Sequence, residues 1–379
     1  ISCNENNQSV EHLRKINNKI KETFAPDKRV VIYNIEIGND NDKILIKGET
    51  NSEKAYQNLL ESIRKIDKPL VNKVRFLPDS AIGEKSYGVA KNSVINIRSK
   101  PSHSAELGTQ GLLGMPLKVL DKKGDFYRVQ TPDNYISWVD KGGITRMTKS
   151  NFESWQNAEK IIFIQNFGYV YKDMSCKEII SDISLGGILK LIKQENKFYF
   201  VEYPDKRKGY IKIDEGLVYN DWKTKIIENR ASHKTQQNIE IIAKSMDGFP
   251  YLWGGTSAKG VDCSGFTKMV YFMNGLIIPR DASQQIYAGK LVDEKLNFSG
   301  LEKGDLLFFG KKETTQSKQK VTHVGIWLGN GKQEFIHASG NVHISSMNKN
   351  EANYDEFNKN RYLGSRRYLG TKDKMIIEL

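Results

Sequence analysis

The chain has 379 residues, 38% hydrophobic and 27% charged, a composition typical of folded globular proteins and not of disordered ones. This length exceeds one ordinary hydrophobic core, so the sequence predicts three or four domains, and no apolar run is long enough to span a bilayer. Lys and Arg number 58 against 45 Asp and Glu, a net charge of +13 that favours anionic partners. Because the basic residues are dispersed and no nucleic-acid-binding motif is recognised, we expect a solvated basic surface and no nucleic-acid partner.

The three cysteines, Cys3, Cys176 and Cys263, are too few for a disulfide framework. Cys176 follows a turn-like segment, and we expect it to be structural or incidental. The start of the chain, Ile1-Ser-Cys followed by polar residues, resembles the remnant of a bacterial lipoprotein signal. This resemblance implies a lipid on Cys3, membrane attachment through that lipid and a place in the bacterial cell envelope. A cysteine present by chance, in a cytoplasmic protein, is the alternative.

Residues 1–80 show the patterns of a small α/β domain. Apolar residues recur at helical spacing from Ser9 to Phe24, and two candidate strands, at 30–37 and 43–47, are joined by a polar turn. A second helical pattern follows, and residues 71–77 form a third candidate strand. We find no chemistry in this domain, so its role is unknown, with spacing or docking expected.

Residues 86–148 contain short alternating runs separated by turn residues, a pattern that predicts a small β-barrel. The order of these runs, which includes Asn-Ile-Arg-Ser-Lys-Pro at 96–101, resembles a bacterial SH3-like domain. Residues 158–220 repeat the order but lack the Arg-x-x-Pro signature, so we interpret them as a degenerate second SH3-like domain.

The last segment, residues 232–379, carries the candidate chemistry. A helix is predicted from Lys234 to Met246 behind a cap at Ser232. A second helix begins at Cys263, because Asp262 is a good N-cap and apolar residues then recur at i, i+3, i+4 and i+7. Cys263 therefore lies at the positive end of a helix dipole, which favours the nucleophilic thiolate. A small buried cysteine is the alternative.

Two histidines on predicted strands are candidates to serve Cys263. If residues 329–331 form a three-residue hairpin loop, His323 lies directly opposite His337 on the same face of the sheet. His343 is expected past the strand, at the surface. Composition and spacing leave three interpretations open: structural histidines, a Cys-His-His zinc site, or a set in which Cys263 attacks a carbonyl, His323 takes the thiol proton and His337 orients His323.

Six motifs in family order resemble the NlpC-type cysteine peptidases of bacterial cell walls. They are YLWGG at 251–255, DCSGF at 262–266, PRDASQQ at 279–285, GDLLFF at 304–309, HVGIWLGNG at 323–331 and FIHAS at 335–339. The resemblance implies a papain-like catalytic domain, in which the cysteine helix packs on an antiparallel sheet. The expected fold class is therefore multidomain α+β, with this domain, two small SH3-like β-barrels and the N-terminal α/β domain.

The same resemblance implies Cys263, His323 and His337 as the catalytic residues, with no metal and no cofactor. Backbone N–H groups of Cys263 and Ser264 would form part of an oxyanion hole, and Tyr251 and Asp262 would lie beside it. An insertion of two residues, at 333–334, lengthens the hairpin, and an even insertion keeps both histidines on one face.

With its SH3-like domains, the chain resembles the γ-D-glutamyl-L-diamino acid endopeptidases. This implies that a monomer hydrolyses the γ-D-Glu–diamino acid bond of peptidoglycan-derived peptides with a free N-terminal L-Ala, in cell-wall recycling. Asp281 is the candidate partner of the substrate ammonium, with Ser283 and Arg280 beside it. Glu106 and Tyr135 of the first SH3-like domain would complete the pocket. An amidase or acyltransferase on the same scaffold and a catalytically silent cell-wall-binding protein are the alternatives.

Overall fold

The computed structural model describes the backbone of residues 2–379 and the side chains of residues 8–379. Its elements form four consecutive parts, which we call the N-terminal unit, the first β unit, the second β unit and the catalytic unit. Cys3 lies outside the described side chains, so its lipidation stays a prediction. Within residues 2–379, no helix combines the length and apolarity needed to cross a bilayer.

The N-terminal unit pairs two helices with a three-stranded sheet. Its elements are α1 (Ser2–Phe24), β1 (Tyr33–Asp40), β2 (Lys43–Thr50), α2 (Glu53–Arg64) and β3 (Leu70–Phe76). Strand β2 is central, antiparallel to β1 and parallel to β3. Apolar residues of the helices, among them Leu13 and Leu59, pack against alternate residues of the strands, such as Ile35 and Ile46. The element order is the one that the periodicity predicts.

Each β unit contains seven strands. Those of the first are β4 (Tyr87–Ala90), β5 (Val94–Arg98), β6 (Leu107–Leu112), β7 (Pro116–Lys123), β8 (Phe126–Gln130), β9 (Ile136–Asp140) and β10 (Ile144–Met147). Helix α3 (Lys149–Asn157) leads to the second, with β11 (Lys160–Phe163), β12 (Phe167–Tyr171), β13 (Ile179–Ser184), β14 (Ile188–Glu195), β15 (Phe198–Glu202), β16 (Lys208–Lys212) and β17 (Gly216–Val218).

The two β units have the same topology. The strand order is β10-β4-β7-β8-β9-β5-β6 in the first and β17-β11-β14-β15-β16-β12-β13 in the second, so adding seven to each strand number converts one into the other. The units also touch through their main chains, because the Ile188 N–H donates to the Leu113 carbonyl at 2.8 Å. Gly114 permits this approach, since a Cβ there would lie 2.2 Å from the Ile188 carbonyl oxygen.

Two helices, α4 (Tyr219–Ala231) and α5 (Thr235–Ser245), connect the second β unit to the catalytic unit. The predicted cap at Ser232 is wrong, because this residue ends α4 and its hydroxyl donates to the Glu228 carbonyl at 2.8 Å. Helix α4 was missed because only Trp222 and Ile226 are buried in an otherwise polar segment, which leaves little periodic signal.

The catalytic unit packs helices on a six-stranded sheet. Its helices are α6 (Cys263–Phe272), α7 (Ala282–Gln285) and α8 (Glu356–Asn360). Its strands are β18 (Thr256–Ser257), β19 (Gly260–Val261), β20 (Leu276–Ile277), β21 (Lys290–Leu291), β22 (Leu306–Lys311), β23 (Lys320–Trp327), β24 (Glu334–Ser339), β25 (Asn341–Ser346), β26 (Tyr362–Arg367) and β27 (Ile377–Glu378).

The main sheet has the order β21-β26-β22-β23-β24-β25, and α6 packs against it. Phe266 and Val270 of this helix share one buried cluster with Val324 of β23 and Ile336 of β24. Residues 263–271 are all buried, so the helix is enclosed on every side. Helix α6 is thereby held against the two adjacent strands, β23 and β24, that carry the histidines.

The N-terminal unit is bound to the first β unit by charged and apolar contacts. Arg75 donates to both Asp121 oxygens, at 3.1 and 2.9 Å, and Arg128 donates to Glu49 at 2.7 Å. A small buried cluster joins Ile32 and Leu77 to Leu120 and Ile136. Paired charges and shared apolar burial hold the N-terminal unit in one position beside the cleft.

Candidate active site

Cys263 occupies the first position of α6, directly after its N-cap Asp262. One carboxylate oxygen of Asp262 accepts from the Gly265 N–H at 2.7 Å, and the other accepts from the Gly254 N–H at 3.0 Å. Arg280 donates to both oxygens, at 3.0 and 2.6 Å. Asp262 therefore joins the helix start to the loop of residues 251–255.

Arg280 does not face the cleft. Its side chain is 1% exposed, and its guanidinium is bound by Asp262 and by the Ser264 hydroxyl at 3.0 Å. The expectation that Arg280 contacts substrate is corrected on this ground, because a buried guanidinium paired with a carboxylate acts as a brace. The Ser264 hydroxyl belongs to the same brace, so only the backbone N–H of Ser264 is available beside the thiol.

Burial makes the thiol of Cys263 hard to ionise. The residue is 8% exposed, and desolvation raises the pKa of its thiol to about 12, with a further contribution from the Asp262 carboxylate. The N–H groups of Val324 and Ser264 and the charge of Arg280 act in the opposite direction but are outweighed. Burial thus opposes the thiolate that the position at the helix start favours.

The hairpin that carries the histidines has a longer loop than the three residues predicted. Leu328 donates to the Glu334 carbonyl at 2.9 Å, so residues 329–333 form the loop. Strand β23 pairs with β24 through Ile326 opposite Ile336, and this register places His337 opposite Gly325. Because the register shifts by two residues, the histidines keep a common face.

His323 and His337 meet diagonally across the two strands. His323 Nε2 lies 2.7 Å from His337 Nδ1, and both rings are buried. Gly325 makes room for this contact, since a Cβ there would lie 3.1 Å from the His337 Cβ. The contact with His337 uses Nε2 of His323 and leaves Nδ1 available as a base, and the thiol of Cys263 accepts from the N–H of the residue after His323, Val324.

The second nitrogen of His337 has its own partners. His337 Nε2 lies 3.0 Å from the Ser345 hydroxyl and 4.0 Å from Asp355 Oδ2. If Nε2 carries the proton, Nδ1 is free to accept from His323, so this pair of contacts favours the tautomer that an orienting histidine needs. Ser345 and Asp355 were not predicted, because strand β25 was not recognised.

His343 was expected at the surface past a strand, and the structure corrects this. It is half-buried on β25 directly opposite His337, with ring centroids 4.4 Å apart. Burial, followed by the nearby imidazoles, lowers the pKa of His323 well below its usual value. The same causes lower the pKa of His337 to about 3, so both rings are neutral at pH 7.

Tyr251 and Arg361 also lie near the thiol. Burial, followed by the charge that Cys263 would carry, raises the pKa of the Tyr251 phenol. Arg361 donates to the Thr322 hydroxyl at 3.0 Å, and the charge that Cys263 would carry also acts on the Arg361 guanidinium. Tyr251 was a sequence candidate, whereas Arg361 was not, because its distance from the motifs leaves no local signal.

A second group of polar residues lies where the N-terminal unit contacts the start of α7. Arg29 of the N-terminal unit places Nη1 at 2.8 Å from Asp281 Oδ2 and 2.9 Å from Ser283 Oγ. Burial, followed by the Asp281 charge, raises the pKa of Tyr135 to about 12, which places this phenol beside the same carboxylate. Tyr135, Asp281 and Ser283 are thus brought together, and Arg29 joins them without any signal in the sequence.

Glu106 takes a different partner. Its Oε1 accepts from Trp253 Nε1 at 2.7 Å, so it joins the first β unit to the loop of residues 251–255. Trp253 is 63% exposed, which leaves this aromatic ring at the rim of the cleft. Among the residues whose side chains are described, no group of three or more His, Cys, Asp or Glu residues is arranged to hold a metal ion.

Comparison with known proteins agrees with this geometry. The NlpC/P60 family matches residues 248–361, and the bacterial dipeptidyl-peptidase SH3 domain matches residues 97–144. The chain is 31% identical over 279 residues to the γ-D-glutamyl-L-lysine dipeptidyl-peptidase of Bacillus cereus, covering 71% of this chain and 77% of that protein. It is 27% identical over 270 residues to dipeptidyl-peptidase 6 of Lysinibacillus sphaericus, covering 68% and 91%.

A solved structure shows the same architecture. The crystal structure of an NlpC/P60 family protein from Bacillus cereus is similar with a TM-score of 0.60 and 25% identity, over 75% of this chain and all of that one. The predicted family resemblance is therefore confirmed, together with the NlpC/P60 fold and its SH3-like domain. The chain belongs to the NlpC/P60 family and is a cysteine endopeptidase.

Proposed function

We propose that the protein hydrolyses the γ-D-Glu–diamino acid bond of peptidoglycan-derived peptides that carry a free N-terminal L-Ala. One observation carries this proposal: a single cationic nitrogen, Arg29 Nη1, is hydrogen-bonded by both Asp281 and Ser283 at the end of the cleft. A carboxylate and a hydroxyl that together hold a guanidinium nitrogen suit a substrate ammonium equally well. The names of two relatives, γ-D-glutamyl-L-lysine dipeptidyl-peptidase and dipeptidyl-peptidase 6, support the proposal.

In the proposed mechanism, Cys263 is the nucleophile and His323 is the general base. Both groups are neutral before substrate binds, since burial opposes the thiolate and the imidazolium alike. The thiol proton therefore passes to His323 as sulfur attacks the γ-carbonyl carbon of D-Glu. The resulting imidazolium is oriented by His337, whose Nδ1 accepts from His323 Nε2.

The oxyanion forms beside the start of α6. The backbone N–H of Ser264 is directed at the sulfur, and the Tyr251 hydroxyl lies close to it. We propose these groups, with the Cys263 N–H, as donors to the developing negative charge. His323 then protonates the leaving amine of the diamino acid, and water, deprotonated by His323, releases the dipeptide from the acyl-enzyme.

The pocket around Asp281 selects the free amine. A substrate ammonium that pairs with this carboxylate is a strong discriminator, because an N-acylated peptide brings no positive charge to Asp281 and cannot replace the Arg29 guanidinium paired with it. Tyr135 adds a phenol from the first β unit. Stems still joined to the glycan by an amide at L-Ala are then poor substrates, which fits a role on released peptides.

The test is mass spectrometry of L-Ala-γ-D-Glu-L-Lys after incubation with the protein and with Cys263→Ala. The expected products are L-Ala-γ-D-Glu and lysine, formed only by the native protein. Persistent intact tripeptide under conditions in which another muropeptide is cut would reject this bond as the target. An N-acetylated tripeptide that is cut at the same rate would reject the requirement for a free amine.

A further inference from the structure

Arg29 occupies the position that the proposed function gives to the substrate ammonium. Its Nη1 alone contacts Asp281 Oδ2 and Ser283 Oγ, at 2.8 and 2.9 Å. The rest of the guanidinium faces Asp27 of the same segment, with Nη2 at 2.7 Å from Asp27 Oδ2. The pocket is therefore filled by a cation that the protein itself supplies.

The segment around Arg29 is fixed by its backbone as well as by its charges. The Arg29 carbonyl accepts from the Ile136 N–H at 2.7 Å, directly after Tyr135 in the first β unit. Asp27 also accepts from Gln284 Nε2 of α7 at 2.7 Å. The N-terminal unit thus reaches across the first β unit to the catalytic unit, which gives this unit a contact with the site.

We infer that Arg29 is an internal competitor of the substrate ammonium and sets the apparent affinity of the pocket. This inference rests on the proposed function. A substrate ammonium directed at Asp281 Oδ2 and Ser283 Oγ would compete with Arg29 Nη1 for the same two acceptors, and the like charges repel at this separation. The substrate must therefore displace the Arg29 side chain before its amine reaches Asp281.

The exposure of the pair permits this exchange. The side chains of Arg29 and Asp281 are 33% and 28% exposed, so water reaches the ion pair and offers the displaced guanidinium a solvated alternative. Arg29 also keeps Asp27 as a partner when it leaves. A tethered competitor acts at a high effective concentration, so the apparent KM rises while the chemical step at Cys263 is unchanged.

The experiment compares Arg29→Ala with Lys28→Ala on the free tripeptide L-Ala-γ-D-Glu-L-Lys. Lys28 is the neighbouring, exposed lysine, so its replacement removes the same charge from the same segment without touching the pocket. The expected result is a KM about tenfold lower in Arg29→Ala with kcat unchanged, the factor that corresponds to one charge-assisted hydrogen bond. Lys28→Ala should keep the native KM, and Arg29→Lys, which retains a cation, should lie between.

Binding without turnover gives a second readout. In the Cys263→Ala background, calorimetric titration with the dipeptide L-Ala-γ-D-Glu should show the same gain in affinity when Arg29→Ala is added, and none with the N-acetylated dipeptide. Thermal melting of each variant confirms that the N-terminal unit stays folded and docked. If melting shows that Arg29→Ala has lost its fold, Arg29→Gln, which keeps a polar end on a shorter side chain without the charge, replaces it in both measurements.

Failure of the competition by Arg29 and failure of the proposed function would give different results. An unchanged or raised KM in Arg29→Ala, with the native protein still preferring the free amine, would overturn the competition and leave the proposed function standing. Equal rates on free and acetylated tripeptide in every variant would reject the amine pocket itself, and the competition with it. A KM lowered equally in Arg29→Ala and Lys28→Ala would show a general charge effect and would also overturn the inference.

Discussion

In the first β unit, the residues directly before β6 and β9 are Glu106 and Tyr135, and both reach the catalytic unit. The residues at the equivalent places in the second β unit, before β13 and β16, are Glu178 and Arg207. Glu178 pairs with Lys172 of its own unit at 2.7 Å. Arg207 binds Asp205 and the Lys91 carbonyl, both at 3.0 Å, away from the cleft.

The two β units therefore share one topology but make different contacts. The strand order is common to both units, but Glu106 of the first contacts Trp253 of the catalytic unit, whereas Glu178 of the second pairs within its own unit. The second β unit contacts the catalytic unit by other surfaces, for example through Asp182, which accepts from Ser93 at 2.9 Å and pairs with Lys259 at 2.6 Å. A repeated fold thus fixes the position of a residue within its unit, whereas packing decides whether that residue meets substrate.

The largest expected effect tests whether all bond-breaking chemistry belongs to the catalytic unit. Cys263→Ala should lower turnover by roughly 10⁴-fold or more, because it removes the nucleophile of a group of residues that act together. The rate of dipeptide release measures this, and His323→Ala should lose nearly as much. Substantial activity in Cys263→Ala would instead place the reacting group elsewhere.

The next effect concerns the carboxylate that the first β unit helps to enclose. Asp281→Ala should lower kcat/KM for the free tripeptide by an amount equivalent to roughly 1.5–3 kcal/mol, the range for a hydrogen bond to a charged group. The rate on the N-acetylated tripeptide should change little, because that peptide brings no ammonium. Matched rate measurements on both peptides test this, and parallel losses on both would point to a structural role for Asp281.

A smaller effect separates the two β units directly. Glu106→Gln in the first should weaken its bond to Trp253 and raise KM, by an amount equivalent to roughly 1 kcal/mol, since the bond is partly exposed. Glu178→Gln makes the same change at the equivalent place in the second unit and should leave KM as it is. Similar KM values for the two variants would remove the functional difference between the units.

The smallest effect concerns the pH dependence of kcat/KM. We expect this quantity to stay nearly constant across the pH range in which a histidine with an ordinary pKa becomes protonated. Burial lowers the pKa of His323 well below 6.5, so the neutral ring needed as a base persists as the pH falls through that value. We expect kcat/KM at pH 5.5 to stay close to its value at pH 7.5. A histidine with its ordinary pKa would be about nine-tenths protonated at pH 5.5, so a tenfold loss there would contradict the depressed pKa.

Features that depend on neighbours in the chain were predictable from the sequence. The helix start at Cys263 follows from its N-cap and the periodicity after it, and the motif order identifies the family. The common face of His323 and His337 was also predictable, because the predicted three-residue loop and the observed five-residue loop both contain an odd number of residues, which keeps the two histidines on one face. The register of strands β23 and β24 was not predictable, because the loop length is set by the hydrogen bond between the Leu328 N–H and the Glu334 carbonyl.

By itself, the sequence determined most of the helices and strands, the family and the three candidate catalytic residues, because helix caps, strand alternation and motif spacing act over a few residues. Only the tertiary structure decided which charges meet. Arg29 and Asp281 are 252 positions apart, and no local pattern links them. The same holds for the buried, neutral thiol of Cys263, because desolvation comes from every element packed around it and not from the helix on which it stands.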